Sequence, residues 1–207
     1  MQVATPARKA SKLISVHQVD EAHGRIRDVA VSTPLARNIN LSDRYECNVF
    51  LKREDLQVVR SYKIRGAFNK ISTLSPEEKE KGMVCASAGN HAQGVAYSCR
   101  TLEVNGKIFI PNTTPKQKIN QVEMFDRDFV EIDLTGDSFD DCFLEALQNC
   151  NENGKSFIHP FDDETIIAGQ GTVGLEILRD AKEIIDYVFV PIGKGHFLLS
   201  RKNKKNL

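Results

Sequence analysis

The chain has no surplus of either charge: 28 lysines and arginines balance 28 aspartates and glutamates over 207 residues. That removes the electrostatic argument for a nucleic-acid or anionic-membrane partner, both of which draw on excess basic residues. Long apolar runs are missing too. No stretch approaches the ~18 residues that a membrane-crossing helix needs, so neither nucleic acid nor a membrane is an expected partner. The opening residues 1–9 lack the apolar core of a secretion signal, and 1–14 is expected to be a flexible leader. Cysteine is sparse and poorly spaced for chemistry: Cys47, Cys85, Cys99, Cys142 and Cys150 are odd in number and form no C-x-x-C pair. A zinc site or disulfide framework is therefore not expected, no metal is assigned, and scattered reduced thiols suit a cytoplasmic protein. With 41% apolar and 27% charged residues, the composition is that of a soluble globular protein with one good core or two small ones.

What is present is a rhythm. Ser15-Val16-His17-Gln18 reads as a capping box opening a helix to about Arg27, and Thr33-Pro34-Leu35 breaks the pattern. Val49–Arg53 reads as a short strand, and a helix is expected from Lys63 to about Leu74. Ser75-Pro76-Glu77-Glu78 caps a short helix, with proline at its first position and glutamate at its third. Met83–Ala86 is a strand, His91–Leu102 a helix, Lys107–Ile110 a strand. Thr114-Pro115-Lys116-Gln117 reads as another capped start, to about Phe125. Phe129–Ile132 is a strand, and Asp137 is expected to cap a helix carrying Phe143, Leu144 and Leu147. Ser156–Ile158 is strand-like, helical segments follow Asp162 and Gly171, and Tyr187–Val190 is the expected last strand. Strands alternating with helices of this length mean an α/β fold with a mostly parallel sheet, whose ligands bind beyond the carboxyl ends of the strands.

Three stretches carry chemistry. In Ser61-Tyr62-Lys63-Ile64-Arg65-Gly66-Ala67 a lysine stands near a helix start, where burial and the positive helix end disfavour its protonated form. A neutral amine is the nucleophile that imine chemistry with an aldehyde needs. The plainer reading is a solvated lysine on an amphipathic helix. Ser87-Ala88-Gly89-Asn90-His91-Ala92-Gln93-Gly94 follows a strand and opens a helix, presenting free backbone N–H groups to an anion, with the Asn90 amide beside them. The plainer reading is an ordinary turn with Asn90 left-handed and His91 merely exposed. Val190-Pro191-Ile192-Gly193-Lys194-Gly195-His196-Phe197 is a strand followed by a loop whose glycines could let backbone amides converge on phosphate. Gly169-Gln170-Gly171-Thr172-Val173-Gly174 matches the dinucleotide pattern, but it follows no first strand and no ribose-binding acid ends the next one. Tight helix packing is the better account of those glycines.

Together these motifs resemble the fold-type II pyridoxal-phosphate enzymes, and among them the threonine dehydratases. The resemblance runs from Val16 to Ile192. It includes Thr33-Pro34-Leu35, Leu51–Asp55, Ser61–Ala67, Ser87–Gly94, Thr114–Ile119, His159-Pro160-Phe161-Asp162-Asp163 and Gly169–Thr172. It implies a two-domain parallel-sheet fold of the tryptophan synthase β type. The large domain would comprise 15–55 and 152–207, and a small inserted α/β domain 56–151. It implies that Lys63 holds pyridoxal phosphate and later removes the substrate's α-proton, and that Asn90 bonds the cofactor's ring hydroxyl. Ser87, Ala88, Gly89, Asn90 and His91 would take the substrate carboxylate, and Gly193, Lys194, Gly195 and His196 the phosphate. The implied reaction converts L-threonine to 2-oxobutanoate and ammonia, with L-serine as a poorer substrate, in a homo-oligomer. Ala88 stands where serine racemases carry a second serine, which favours dehydration. Val58-Val59-Arg60 resembles the biosynthetic branch, serving isoleucine synthesis.

The sequence departs from the family at one end. Its phosphate loop is typically four glycines and a leucine; here Lys194 and His196 replace two glycines and Phe197 the leucine. The remainder, Ser200–Leu207, is basic and unlike the family, as an out-of-frame ending would be. The expectation is a C-terminally truncated large domain and a chain that is weakly active or inactive by itself. The competing readings are a non-catalytic remnant and a serine racemase, serine dehydratase or β-replacement relative.

Overall fold

The computed structural model describes residues 14–125 and 128–190. Helix α1 (Val16–Ile26) is followed by β1 (Leu35–Arg37), α2 (Ile39–Tyr45) and β2 (Phe50–Lys52), with a 3-10 turn at Glu54–Leu56. The chain continues through α3 (Lys63–Ser72), α4 (Pro76–Lys81), β3 (Met83–Ala86), α5 (Asn90–Leu102), β4 (Gly106–Ile110) and α6 (Lys116–Glu123). It ends with β5 (Val130–Leu134), α7 (Phe139–Asn153), β6 (Ser156–Phe157) and α8 (Glu164–Asp180). Local signals set the starts. Ser15 and Gln18 close a capping box on α1, and Ser75 and Glu78 another on α4, each satisfying two otherwise unpaired N–H groups. Such a cap contributes about 1 kcal/mol.

Strands β1 and β2 pair antiparallel, Leu35 opposite Lys52. The other four strands form a parallel sheet in the order β5-β4-β3-β6. Strand β6 lies past residue 151, the expected end of the small unit, and completes its sheet. All four residues of β3 are buried, as a strand covered on both faces requires. With period two, Met83 and Cys85 face Ala92, Val95, Ala96 and Cys99 of α5, whereas Val84 and Ala86 face Cys142 and Ala146 of α7. The chain steps from β3 outward to β4 and β5, then returns so that β6 lies on the other side of β3. That reversal makes the carboxyl ends of β3 and β6 the switch point where open α/β sheets bind ligands.

Helix α3 is clamped to α8 in two ways. Glycines bring the backbones together: a Cβ on Gly169 would lie 2.6 Å from the Arg65 carbonyl and 2.7 Å from Gly66 Cα. Charges then lock the pair. The fully buried Arg65 guanidinium donates to Glu54 from Nε at 2.8 Å and to Glu176 from Nη1 at 2.7 Å, and its Nη1 also reaches the Thr172 hydroxyl at 3.1 Å. Lys52 joins the cluster 2.6 Å from Glu176, and its amine also donates to the Thr33 carbonyl. Burial works against ionisation of Glu176, but its bonds to Arg65 and Lys52 outweigh that and hold the carboxyl below its usual range.

Four expectations are corrected. The two helical segments after Asp162 and Gly171 are one helix, α8, whose Gly169–Val173 stretch is buried against α3, so the glycines pack rather than break it. Its cap is Asp163, which accepts from Thr165 and Ile166. Helix α7 is capped by Ser138, not Asp137, because Asp141 three residues on completes a capping box only with Ser138. Helix α6 begins after Pro115 with no side-chain cap, so Thr114 does not serve. Tyr187–Val190 is not a strand: it is extended and pairs with no strand among the described residues, leaving Phe189 93% exposed. A lone strand cannot satisfy its own backbone groups, so apolar β-formers without a neighbour stay irregular.

The close approach of α3 and α8 is sensitive to single methyl groups. Gly169→Ala is expected to destabilise the chain by about 1–3 kcal/mol through the clash with α3. Gly174→Ala, with nothing within 4 Å of the new methyl, is expected to stabilise by about 0.5–1 kcal/mol. Urea unfolding of the two variants reads both signs, and a neutral Gly169→Ala would show that the crossing has slack.

Candidate active site

Lys63 is the first residue of α3, and its backbone N–H donates to the Ser61 hydroxyl at 3.1 Å. Its amine sits 5.7 Å from the centroid of the Tyr62 ring and donates to the Pro160 carbonyl at 2.8 Å. The aromatic face and the carbonyl both favour a cation, but burial outweighs them and brings the amine down from 10.5 to about 8. The lysine is therefore neither solvated nor locked in an ion pair.

The Ser87–His91 turn lies at the carboxyl end of β3. Gly89 is the N-cap of α5 and offers no side chain, so the first N–H groups of that helix have no capping acceptor from it. The Ser87 hydroxyl accepts from the Gly89 N–H at 3.3 Å. Nothing lies within 4 Å of where a Cβ on Gly89 would be, so the backbone there faces open space. Asn90 is exposed and helical rather than left-handed, and His91 is buried, its Nε2 3.1 Å from the Ile158 carbonyl. The plainer reading of this turn thus differs from the structure at both residues. Helix α5 also meets α3 at the lysine itself: a Cβ on Gly94 would stand 3.2 Å from the Lys63 carbonyl carbon.

These contacts bring three distant pieces of chain to the switch point: the start of α3, the start of α5, and the segment 158–163 between β6 and α8. His91 holds the Ile158 carbonyl, Lys63 holds the Pro160 carbonyl, and the His159 ring accepts from the N–H groups of Phe161 and Asp162 at 3.2 and 2.7 Å. The stretch His159-Pro160-Phe161-Asp162-Asp163 carries the family resemblance in the sequence but no assigned role there. The histidine before a proline, followed by two acids, was the available signal. Gly193, Lys194, Gly195 and His196 lie outside the described residues.

The described residues fit pyridoxal phosphate. They supply a half-buried amine whose proton is held weakly, beside an uncapped helix start with open space over its glycine. No helix among them is long and apolar enough to cross a membrane, and no group of three or more potential metal ligands occurs among them.

A family model described as pyridoxal-phosphate dependent enzyme matches residues 26–200, and the chain belongs to that family. It is 53% identical over 193 residues to the L-threonine dehydratase biosynthetic IlvA of Bacillus subtilis (strain 168), covering 93% of this chain and 46% of that protein. To the protein of the same name from Halalkalibacterium halodurans it is 58% identical over 182 residues, covering 88% and 44%. Among solved structures it superposes on the processed form of threonine deaminase isoform 2 from Solanum lycopersicum with TM-score 0.74 and 40% identity, covering 87% of this chain and 52% of that one. On maize serine racemase the TM-score is 0.78 at 31% identity, covering 84% and 52%. The chain spans about half the length of the curated relatives it matches.

An amine near 8 predicts selective reactivity. At pH 8 about half of Lys63 is neutral, against well under 1% of an ordinary lysine. Brief acetylation at pH 8 followed by peptide mapping should therefore modify Lys63 on the order of 100-fold faster than surface lysines. Uniform labelling would show that the amine is solvated.

Proposed function

We propose that this chain carries the lysine-bearing part of a pyridoxal-phosphate-dependent L-threonine ammonia-lyase, giving 2-oxobutanoate and ammonia, with L-serine as secondary substrate. The observation that carries the reading is the Lys63 amine, near 8 and 2.8 Å from the Pro160 carbonyl, beside the uncapped start of α5. The threonine specificity draws support from the dehydratases at 53–58% identity.

Pyridoxal phosphate, when bound, supplies an electron sink conjugated to the substrate's α-carbon. The chain's residues do the rest. Lys63 Nζ, in its neutral form, would hold the cofactor and would accept the substrate's α-proton. The N–H groups of the Ser87–His91 turn receive the substrate carboxylate, with the positive end of α5 behind them. The Asn90 amide would bond the cofactor's ring oxygen, and Gly193, Lys194, Gly195 and His196 would hold its phosphate. Ala88 presents a methyl group, which can deliver no proton to the opposite face of the α-carbon; this favours elimination over racemisation. The biosynthetic role follows by analogy with the names of the bacterial relatives; the cytoplasmic location and the division at residues 55 and 151 are our reading.

The test is fixation. The purified chain is incubated with pyridoxal phosphate, reduced with borohydride, digested and mapped, and threonine-dependent 2-oxobutanoate is assayed in parallel. The expected result is cofactor fixed at Lys63, with whatever turnover the chain shows abolished by Lys63→Ala and slower on L-serine. Label scattered over surface lysines in place of Lys63 would overturn the proposal.

A further inference from the structure

Lys63 is held by a backbone carbonyl, and a carbonyl holds an amine in place only if its own peptide is fixed. The Pro160 carbonyl belongs to a turn between β6 and α8 whose two ends are anchored. At one end His91 lies on the Ile158 carbonyl at 3.1 Å. At the other, Asp163 caps α8 and pairs with Lys70 at 2.8 Å. Between these anchors the turn has no ladder to rest on, and proline contributes no N–H. The His159 side chain supplies the missing acceptor. Its Nδ1 takes the N–H of Phe161 at 3.2 Å, which shares a peptide unit with the Pro160 carbonyl, and of Asp162 at 2.7 Å in the next unit. The ring stands edge-to-face against Phe143, Phe157 and Phe161, with centroids 5.6, 5.8 and 4.6 Å away.

We propose that His159 is a positioning residue for Lys63, fixing through Nδ1 the turn that presents the Pro160 carbonyl to the amine. The inference rests on the reading of Lys63 as the cofactor lysine. An amine that must carry a cofactor, let go, and then accept a proton leaves its carbonyl partner and returns to it. Lysine has a long flexible stem, so its return to one place depends on an acceptor that stays put while unpaired. Two N–H groups bonded to His159 keep that acceptor in place without help from Lys63.

The arrangement requires Nδ1 to be an unprotonated acceptor, which places the ring proton on Nε2. Burial, the largest influence, and the Lys63 charge both disfavour the imidazolium. Asp162 and Asp163 favour it but do not prevail, so the ring titrates below its ordinary value and is neutral at neutral pH. Protonating it would put hydrogen on Nδ1 and displace both N–H donors.

The experiment compares His159→Asn with His159→Gln in the whole chain without cofactor. Asparagine places its amide oxygen where Nδ1 stands; glutamine carries its oxygen one atom further and misses the turn. The readout is the pH profile of Lys63 acetylation, mapped by peptide. His159→Asn should keep the midpoint near the wild-type value of about 8. His159→Gln, by loosening the turn and admitting water to the amine, relieves the burial that outweighs the carbonyl. It should raise the midpoint by about one unit, lowering Lys63 labelling near pH 7.5 roughly tenfold relative to other lysines. Equal profiles for the two variants, shifted or not, would overturn the proposal. A second measurement needs no variant: hydrogen exchange in the wild-type chain should show the Phe161 and Asp162 amides protected at neutral pH and released on acidification. Free exchange of both at neutral pH would also overturn it. Failure of borohydride fixation at Lys63 would instead remove the cofactor reading and leave both measurements standing.

Discussion

A guanidinium with no exposed surface must have its donors answered inside the protein, and in this chain the Arg65 cluster sets the framework to which the site is attached. Glu54, Glu176, Thr172 and the Val31 carbonyl answer them. Those partners come from the 3-10 turn, α8 and the loop after α1, so one side chain fixes the relative placement of three segments scattered over the sequence. It does so two residues from Lys63, on the same helix. The orientation of α3, and hence the direction from which the lysine enters the site, is therefore set by charge pairing on the far side of the helix. Such a cluster is a poor source of net stability, since the cost of removing each ion from water nearly cancels the attraction. It is a good source of geometry, because its bonds are directional.

The site itself follows from topology. Strand β3 stands beside both β4 and β6, and the crossovers lead to opposite faces: α5 covers one and α7 the other. Where the winding reverses, the Ser87 turn and the 158–163 segment lie together. The hydrogen bonds from His91 to Ile158 and from Lys63 to Pro160 span this gap. The site is thus assembled from the starts of α3 and α5, two helices packed in one cluster on the same face of β3, and one turn.

Much of this was legible in the sequence, for reasons that differ by residue. The capping boxes at Ser15 and Ser75 and the apolar strands at Met83 and Lys107 are local signals, and the structure contains them within a residue or two. The α/β class follows from their alternation. The continuity of α8 was not legible: packing was the expected role of its glycines, but the partner of that packing, Gly66 against Gly169, lies about a hundred residues earlier. The irregular Tyr187–Val190 fails for the same kind of reason: strand formation is settled by a neighbour, and composition does not supply one. At the site, Lys63 and the Ser87–His91 turn stand out by residue type. The Pro160 carbonyl does not, since a backbone atom carries no sequence signature, and His159 reveals itself only once its ring nitrogen is seen to face two backbone N–H groups.

The glycine contact and the ion cluster between α3 and α8 are complementary. Gly66 and Gly169 let the two backbones approach to contact, yet smooth glycine surfaces discriminate weakly between registers one turn apart. The Arg65 bonds to Thr172 and Glu176, four residues apart on α8, accept one register, because a slip by a turn would leave a buried carboxylate without its partner. Asn69 repeats the choice further along α3 by donating to the Thr165 carbonyl at 2.8 Å. Close approach and register are thus supplied by different residues of one helix pair. Both act on the helix whose first residue is Lys63, so a shift of α8 along α3 would also carry the turn before it, with its Pro160 carbonyl, away from the amine.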